Sequence, residues 1–203
     1  MKYGENKEVV TAICKETVEE AYLEKQGFIG DDVADLRFHG GPDRAVCVYS
    51  YEHYSFWEKE FGSSLPSAAF GENLLVENML EQDVYIGDVF QIGEAVIQIT
   101  QGRVPCHIIN KRTSNEALLK RMVETGYTGY LCRVIKEGMV RNDSEIILIE
   151  PHPKQISIDF ANQVFFHRPK DIEGIQKILE VAELAEEWQK PLLKRLENLT
   201  KPV

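Results

Sequence analysis

Residues 95–106, with the sequence AVIQITQGRVPC, join a β-strand to an irregular loop that contains a cysteine. Alternating β-branched side chains over residues 95–100 predict the strand, and the glycine and proline that follow predict its end. Cys106 therefore lies just beyond a strand end. Residues 101–112 hold three cations and no acid, in a chain whose net charge is −10.

Nearby cations favour the thiolate form of a cysteine, which is both the nucleophile and the ligand for soft metals. Cys106 is thus the cysteine for which the sequence predicts chemistry. The alternative for any cysteine is a buried structural role. We assign that role to Cys14, Cys47 and Cys132, because each lies inside an apolar predicted strand. His107 follows Cys106 directly, so the two side chains should point apart and neither share a metal nor form a nucleophile–base pair.

Further strands are predicted on both sides of this segment, because short β-branched and aromatic runs alternate with turn residues. They cover residues 9–14, 45–49, 74–76, 89–92, 130–136 and 145–149. Gly138 predicts a turn between two antiparallel strands. Many strands with few helices favour an α+β fold built on a strongly bent sheet or barrel over a doubly wound parallel sheet.

Two helices are predicted between the strands, because apolar residues recur there at steps of three and four. The first covers residues 51–61 and ends at Gly62. The second covers residues 115–125, with Ser114 as its N-terminal cap and Gly126 at its end. Both belong at the periphery of the sheet.

After residues 151–153, PHP, the apolar residues follow a helical periodicity, and we place there a boundary between domains 1–150 and 151–203. The second domain reads as three short amphipathic helices over residues 157–166, 171–181 and 184–199, the last kinked by Pro191. So small a helical unit buries little surface by itself. We therefore expect it to pack on the main domain or on a second chain.

The composition excludes several classes of protein. The chain has 203 residues, with 23 Lys+Arg against 33 Asp+Glu, so bulk charge does not favour binding to a nucleic-acid polymer or to an anionic membrane surface. We find neither a run of about 18 apolar residues nor a secretory signal, and we expect a cytoplasmic protein. Four widely spaced cysteines do not form a disulfide scaffold.

Two other segments differ from ordinary strands and turns. Residues 36–44, LRFHGGPDR, combine one imidazole and two guanidinium groups with a tight glycine–proline loop, which is either an anion-binding loop or a solvated turn. Residues 69–74, AFGENL, place Gly71 where another group can approach closely and Asn73 at the mouth of a strand. Lys15 follows the first predicted strand and could reach an anion bound at a strand end.

Taken in this order, the segments resemble the MOSC family, the domain related to the C-terminal part of molybdenum cofactor sulfurase, and in particular its YiiM-like members. The resemblance rests on residues 34–46, 70–74, 86–88 and 103–106, and the three C-terminal helices are similar to the small helical domain that these members carry. It implies a β-rich barrel with a few peripheral helices, followed by an all-α three-helix domain. It also implies a molybdenum–pterin cofactor.

The resemblance implies that Cys106 is the catalytic metal ligand, a soft thiolate that completes the sulfur-rich coordination of molybdenum held by a pterin dithiolene. Candidate partners of the pterin and its phosphate are basic, polar or backbone groups of the quoted segments. They are Lys15, Arg37, His39, Gly40, Gly41, Asp43, Arg44, Asn73, Arg103 and Pro105. His107 departs from the family pattern, in which an aromatic residue often follows the cysteine.

The activity implied by the resemblance is two-electron reduction of N-hydroxylated compounds, such as hydroxylaminopurines, with loss of the oxygen as water. The chain lacks a cysteine cluster for an iron–sulfur centre and a dinucleotide fingerprint, so electrons must come from a separate flavin or iron–sulfur reductase. Two alternatives stay open: a carrier of the molybdenum cofactor or of sulfur without turnover, and a protein that binds pyridoxal phosphate. The helical tail completes the pocket, mediates homodimerisation or docks the reductase.

Overall fold

Nine strands form two sheets in the computed structural model, which describes Ile13, residues 15–31 and residues 41–201. The strands are β1 (Glu20–Glu24), β2 (Gly27–Phe28), β3 (Val46–Ser50), β4 (Leu74–Val76), β5 (Val89–Ile92), β6 (Ala95–Gly102), β7 (Tyr130–Lys136), β8 (Gly138–Arg141) and β9 (Ile146–Glu150). The larger sheet has the order β4-β3-β7-β6-β5-β9 and curls into a half-barrel, while β2, β1 and β8 form the smaller one. The predicted α+β architecture with a strongly bent sheet is confirmed.

Six helices accompany the sheets in the same described ranges. They are α1 (Glu52–Phe61), α2 (Ile108–Thr113), α3 (Leu118–Thr125), α4 (Ile158–Asn162), α5 (Ile172–Leu179) and α6 (Glu186–Thr200), and α4 continues into a π-helical turn, Gln163–His167. Gly62 and Gly126 end α1 and α3 in the left-handed conformation, as predicted. The three helices predicted for the C-terminal region are confirmed, with ends that shift by a few residues.

Two local predictions are wrong. Ser114 does not cap the helix that follows it; it ends α2 in a left-handed conformation with φ 53°, which no simple sequence pattern announces for a serine. Gly138 does not turn β7 back into a hairpin, because β8 pairs with β1 in the smaller sheet. A Cβ on Gly138 would lie 2.6 Å from the carbonyl carbon of Glu94, so only glycine lets the chain cross the β5–β6 turn there.

The sequence pattern also missed β1, β2, β8 and α2. The predicted strand at residues 9–14, apart from Ile13, lies outside the described residues.

Two apolar clusters lie on opposite faces of the large sheet. β3 shows the division, since Val46 and Val48 belong to one cluster and Tyr49 to the other. The first cluster continues into the C-terminal helices, where Ile175 and Trp188 are fully buried against the strands. The helical tail therefore packs on the main domain, one of the two arrangements expected for it. The exact division into domains 1–150 and 151–203 stays a prediction.

The start of the helical region is fixed to the sheet through residues 86–88, IGD. Both carboxylate oxygens of the buried Asp88 accept backbone N–H groups, from His152 at 2.7 Å and from Tyr85 at 3.1 Å. Gly87 has φ 95°, and a Cβ on it would lie 2.6 Å from Cδ2 of His152. This motif of the resemblance thus joins the two parts of the chain.

We predict that Gly87→Ala destabilises the protein more than Gly30→Ala. Both glycines have positive φ, at 95° and 86°, but a Cβ on Gly30 has no atom within 4 Å. The control therefore carries the backbone strain without the clash against His152, and the clash should add about 1–3 kcal/mol. Urea unfolding measures both losses. Equal losses would contradict the idea that His152 packs directly on Gly87.

Candidate functional site

The end of β6 sends its side chains to two different faces of the sheet. Gly102 faces the C-terminal helices, where a Cβ would lie 2.8 Å from a side chain of α6. Gln101 and Arg103 lie one residue to either side and point to the opposite face. The register agrees, because Gln101 pairs with Leu131 and Leu131 pairs with Cys47. Gln101 and Cys47 therefore share the face toward which Arg103 points.

Arg103 is the charge at the centre of this face. Its N–H donates to the carbonyl of Gly129 at 3.0 Å, and its Nη2 donates to the carbonyl of Phe70. Its Nη1 is buried and has no acceptor within the part of the chain that the structure describes. A buried cationic donor of this kind is costly unless a ligand or a charge pairs with it.

The electrostatic surroundings of Arg103 include two cysteines. Burial lowers the pKa of its guanidinium, but the Cys47 and Cys106 thiols oppose that effect. The Glu72 carboxylate raises the pKa in the same way as the two thiols, and the pKa of Arg103 lies above its ordinary value. The guanidinium therefore stays charged in this environment, and its positive charge favours an anionic group near the two thiols.

Cys106 lies just beyond the end of β6, as the sequence predicts, and two residues before α2 begins. It is half-buried and packs against the second apolar cluster, and its carbonyl accepts the N–H of Ile109 at 3.1 Å. His107 is exposed, so the two neighbouring side chains do point apart. Pro105 is buried between Arg103 and Cys106 and restricts the backbone that joins them.

Cys47 is the residue whose place the sequence analysis missed. Burial raises the pKa of its thiol, and the cations Arg103 and Lys15 act against that rise. Asn73 holds its backbone from both sides: Oδ1 accepts the Cys47 N–H at 2.9 Å, and the Asn73 N–H donates to the Cys47 carbonyl at 2.8 Å. Cys47 is half-buried and belongs to neither apolar cluster, so its interpretation as a core cysteine is wrong. No pattern within its own segment indicates this place, because it follows from the pairing of β3 with β7 and of β7 with β6.

Lys15 and Asn73 are brought together by a shared carboxylate. Both donate to Oδ2 of Asp31, Lys15 as an ion pair and Asn73 through its Nδ2. These three residues line a cavity of 820 Å³, a volume large enough for a cofactor-sized ligand. The structure thus places two of the predicted cofactor residues at one polar wall.

The segment that contains Gly71 and Glu72 precedes Asn73, and Glu72 lines the same cavity. A Cβ on Gly71, which has φ 71°, would lie 2.6 Å from Cγ1 of Ile13, so the predicted close approach is confirmed. Glu72 is buried and accepts from the Tyr54 hydroxyl and from the N–H of Phe70. Burial, followed by the Glu72 charge, raises the pKa of the Tyr54 phenol. The turn that offers the Phe70 carbonyl to Arg103 is therefore rigidly held.

The predicted loop residues Gly41, Asp43 and Arg44 lie toward the C-terminal helices. Gly41, with φ 96°, opens a short 3-10 turn, Pro42–Arg44. Asp43 pairs with Arg133 at 3.0 Å, and Arg44 pairs with Glu187 of α6. Their contacts hold the turn between β7 and α6, and their role toward a cofactor stays a prediction.

Arg37, His39 and Gly40 lie outside the described residues, as does Cys14. Of the remaining cysteines, Cys132 is fully buried in the first cluster, and burial raises the pKa of its thiol. The structural role predicted for it is confirmed. Across the described ranges, no cluster of three or more His, Cys, Asp or Glu side chains offers a metal site. Nor is any helix there long and apolar enough to cross a bilayer.

Comparisons with known proteins identify the family of this chain. A family model of the MOSC domain matches residues 35–147, and a model described as YiiM-like, 3-alpha helix domain matches residues 156–199. A Bacillus subtilis protein named YflK is 41% identical, with 96% of this chain and 89% of that protein covered. Escherichia coli YiiM is 36% identical, with 91% and 84% covered.

A Gibberella moniliformis protein named Reductase is 35% identical over 72% of this chain, but the match spans only 27% of that protein. The crystal structure of YiiM from Geobacillus stearothermophilus superposes with a TM-score of 0.82 at 28% identity, with 93% of this chain and 90% of that chain covered. The two family models and the relatives leave one assignment: the chain belongs to the MOSC domain family and carries a YiiM-like three-helix domain.

Proposed function

We propose that this protein binds a molybdenum–pterin cofactor with Cys106 as the metal ligand and reduces N-hydroxylated compounds. The observation that carries the proposal is the buried, unpartnered Nη1 of Arg103 beside two thiols, within the described part of the chain. MOSC domains are associated with binding of the molybdenum cofactor. A relative named Reductase is 35% identical to this chain over 72% of its length, and its name supports oxidoreductase chemistry.

The residues present fit such a cofactor. Because the described residues form no protein-only metal site, a metal at Cys106 must bring other ligands with it, as a pterin dithiolene does. Arg103 offers a free cationic donor for an anionic group, and Gln101 offers a buried Oε1 that has no donor among the described residues. Lys15, whose charge acts on the Cys47 thiol together with that of Arg103, supplies a second positive charge.

Each residue then has a defined task. When bound, the cofactor supplies two-electron chemistry at molybdenum. Cys106 anchors the metal as a soft ligand, and Arg103 holds negative charge beside it in a site where burial strengthens the attraction. Asn73 and Asp31 fix Lys15 and the backbone of Cys47, so the wall needs no rearrangement when the ligand enters.

The overall reaction balances as R–NHOH plus two electrons and two protons giving R–NH2 and water. The nitrogen–oxygen bond breaks, and both protons end on the product amine and the departing water. A flavin or iron–sulfur reductase supplies the electrons. No cysteine cluster for an iron–sulfur centre occurs among the described residues, where Cys47, Cys106 and Cys132 are single thiols.

Cys106→Ser should abolish retention of molybdenum, because a serine oxygen is a harder donor that does not replace the thiolate. Metal analysis of protein made in a cofactor-competent host should give near one atom of molybdenum per chain for the wild type. The Cys106→Ser protein should retain less than about a tenth of that. Cys132→Ser is the matched control and should keep its molybdenum, because the Cys132 thiol is buried in the first apolar cluster on the opposite face of the sheet. Equal content in wild type and Cys106→Ser would contradict the ligand assignment.

Arg103→Met should weaken cofactor retention by about 10–100-fold, because it removes the buried charge but keeps the aliphatic stem. The rate of molybdenum loss during dilution measures the effect. Lys111→Met removes an exposed cation from α2, the helix that follows Cys106, and serves as the control, with a rate expected near the wild-type value. Equal rates for both variants would show that general positive charge, and not Arg103, holds the cofactor.

The loaded protein should convert a hydroxylaminopurine to the aminopurine when an artificial electron donor is supplied. Chromatography of substrate and product measures the conversion, and Cys106→Ser should show none. Full molybdenum occupancy without conversion, even with a competent reductase, would favour the carrier alternative. An absorbance band of a lysine-bound pyridoxal phosphate would instead identify the third possibility.

A further inference from the structure

The C-terminal helices contact the backbone that leads into the candidate site, most closely at Gly102. A Cβ on Gly102 would overlap Oδ1 of Asn162, at the end of α4, and would lie 2.8 Å from Cη2 of Trp188 in α6. Two residues earlier, the carbonyl of Thr100 accepts the N–H of Ala185 at 3.2 Å. The helices therefore press directly on the backbone that precedes Arg103.

Asn162 also holds residues 126–128, the loop that leads from α3 into β7. Its Nδ2 donates to the carbonyl of Gly126 at 2.9 Å and lies 3.1 Å from the hydroxyl oxygen of Thr128. The next carbonyl, that of Gly129, accepts the backbone N–H of Arg103 at 3.0 Å. One buried side chain thus fixes both backbone segments between which Arg103 is held.

Trp188 provides a rigid support beneath Gly102. Its ring stacks on Phe165 with centroids 4.2 Å apart and planes 13° from parallel. The guanidinium of Arg195 lies over the Phe165 ring, with its Cζ 4.7 Å from the ring centroid, and its Nη1 donates to the Phe165 carbonyl at 2.8 Å. A stack ordered from both sides has little freedom to shift when Gly102 moves.

This contact is costlier than simple packing would be. Oδ1 of Asn162 and Nε1 of Trp188 are both fully buried and have no hydrogen-bond partner in the described part of the chain. Apolar side chains of similar size would fill the same space without leaving polar atoms unpaired. A costly arrangement on the segment that carries Arg103 is typical of a requirement on the site itself.

We propose that the three-helix domain positions the cofactor site, with Asn162 as the positioning residue that acts through Arg103. The helices hold Gly102 and residues 126–128, and these fix the direction in which the guanidinium points. The same region holds the neighbouring loop, where Glu187 pairs with Arg44 and the carbonyl of Glu183 accepts from Arg133 at 2.9 Å. The part of the proposal that concerns the cofactor rests on the proposed function above.

The test uses Asn162→Ala in the full chain, with Ile178→Val as the control. Ile178 is buried in the same apolar cluster, but α5 supplies none of the atoms nearest Gly102. In cofactor-free protein, Asn162→Ala should speed hydrogen exchange of the Arg103 amide by about fivefold, as expected when roughly one hydrogen bond's restraint is lost. Ile178→Val should leave that amide near the wild-type rate. Equal exchange in the two variants would overturn the proposal.

A double-mutant cycle on loaded protein then separates positioning from general stability. Asn162→Ala should speed molybdenum loss by roughly tenfold in the wild-type background and by almost nothing in the Arg103→Met background. The same acceleration in both backgrounds would show a structural effect that does not pass through Arg103, and would overturn the proposal. If no protein retains molybdenum, the proposed function fails, while the exchange experiment still decides whether Asn162 positions Arg103.

Discussion

The burial of the Arg103 guanidinium is the constraint on which the rest of the site depends. A buried charge is stable only where hydrogen bonds and opposite charges surround it. The Phe70 carbonyl and the Glu72 carboxylate meet part of that need. The Tyr54 hydroxyl holds the turn that contains both groups, because it donates to Glu72 and accepts the N–H of Ala69. Among the described residues, one cationic donor beside two thiols is left unpaired, and a negatively charged group would pair with it.

Several parts of the fold could be read from the sequence because they depend on local patterns. The strand that becomes β6, its end before Cys106, and the glycine caps at Gly62 and Gly126 all follow from alternation and turn chemistry. Others depend on context. Ser114 adopts a left-handed conformation, and β8 crosses to another sheet because Gly138 fits against Glu94. Neither feature has a pattern within its own segment.

The site shows the same division between local and distant information. Cys106 could be singled out from its loop, its glycine and proline, and its neighbouring cations. Cys47 could not, because its place depends on the register that aligns it with Leu131 and Gln101 across two strand pairings. The shared carboxylate of Asp31 also joins residues far apart in the chain. Long-range pairing, not residue type, decides which polar groups meet.

The motifs that mark the family divide into two physical roles. Phe70, Glu72, Arg103 and Cys106 lie together at the candidate site. Residues 86–88 instead fasten the helical region to the sheet, and the turn at residues 42–44 meets α6 through an ion pair. The helical domain and the candidate site are thus joined through the same sheet.

The most direct test of the central claim is anomalous X-ray diffraction at the molybdenum edge from crystals of the loaded protein. The account predicts one molybdenum peak within bonding distance of Sγ of Cys106, with Arg103 facing the bound group. A molybdenum peak elsewhere in the chain, with Sγ of Cys106 unbound, would contradict it.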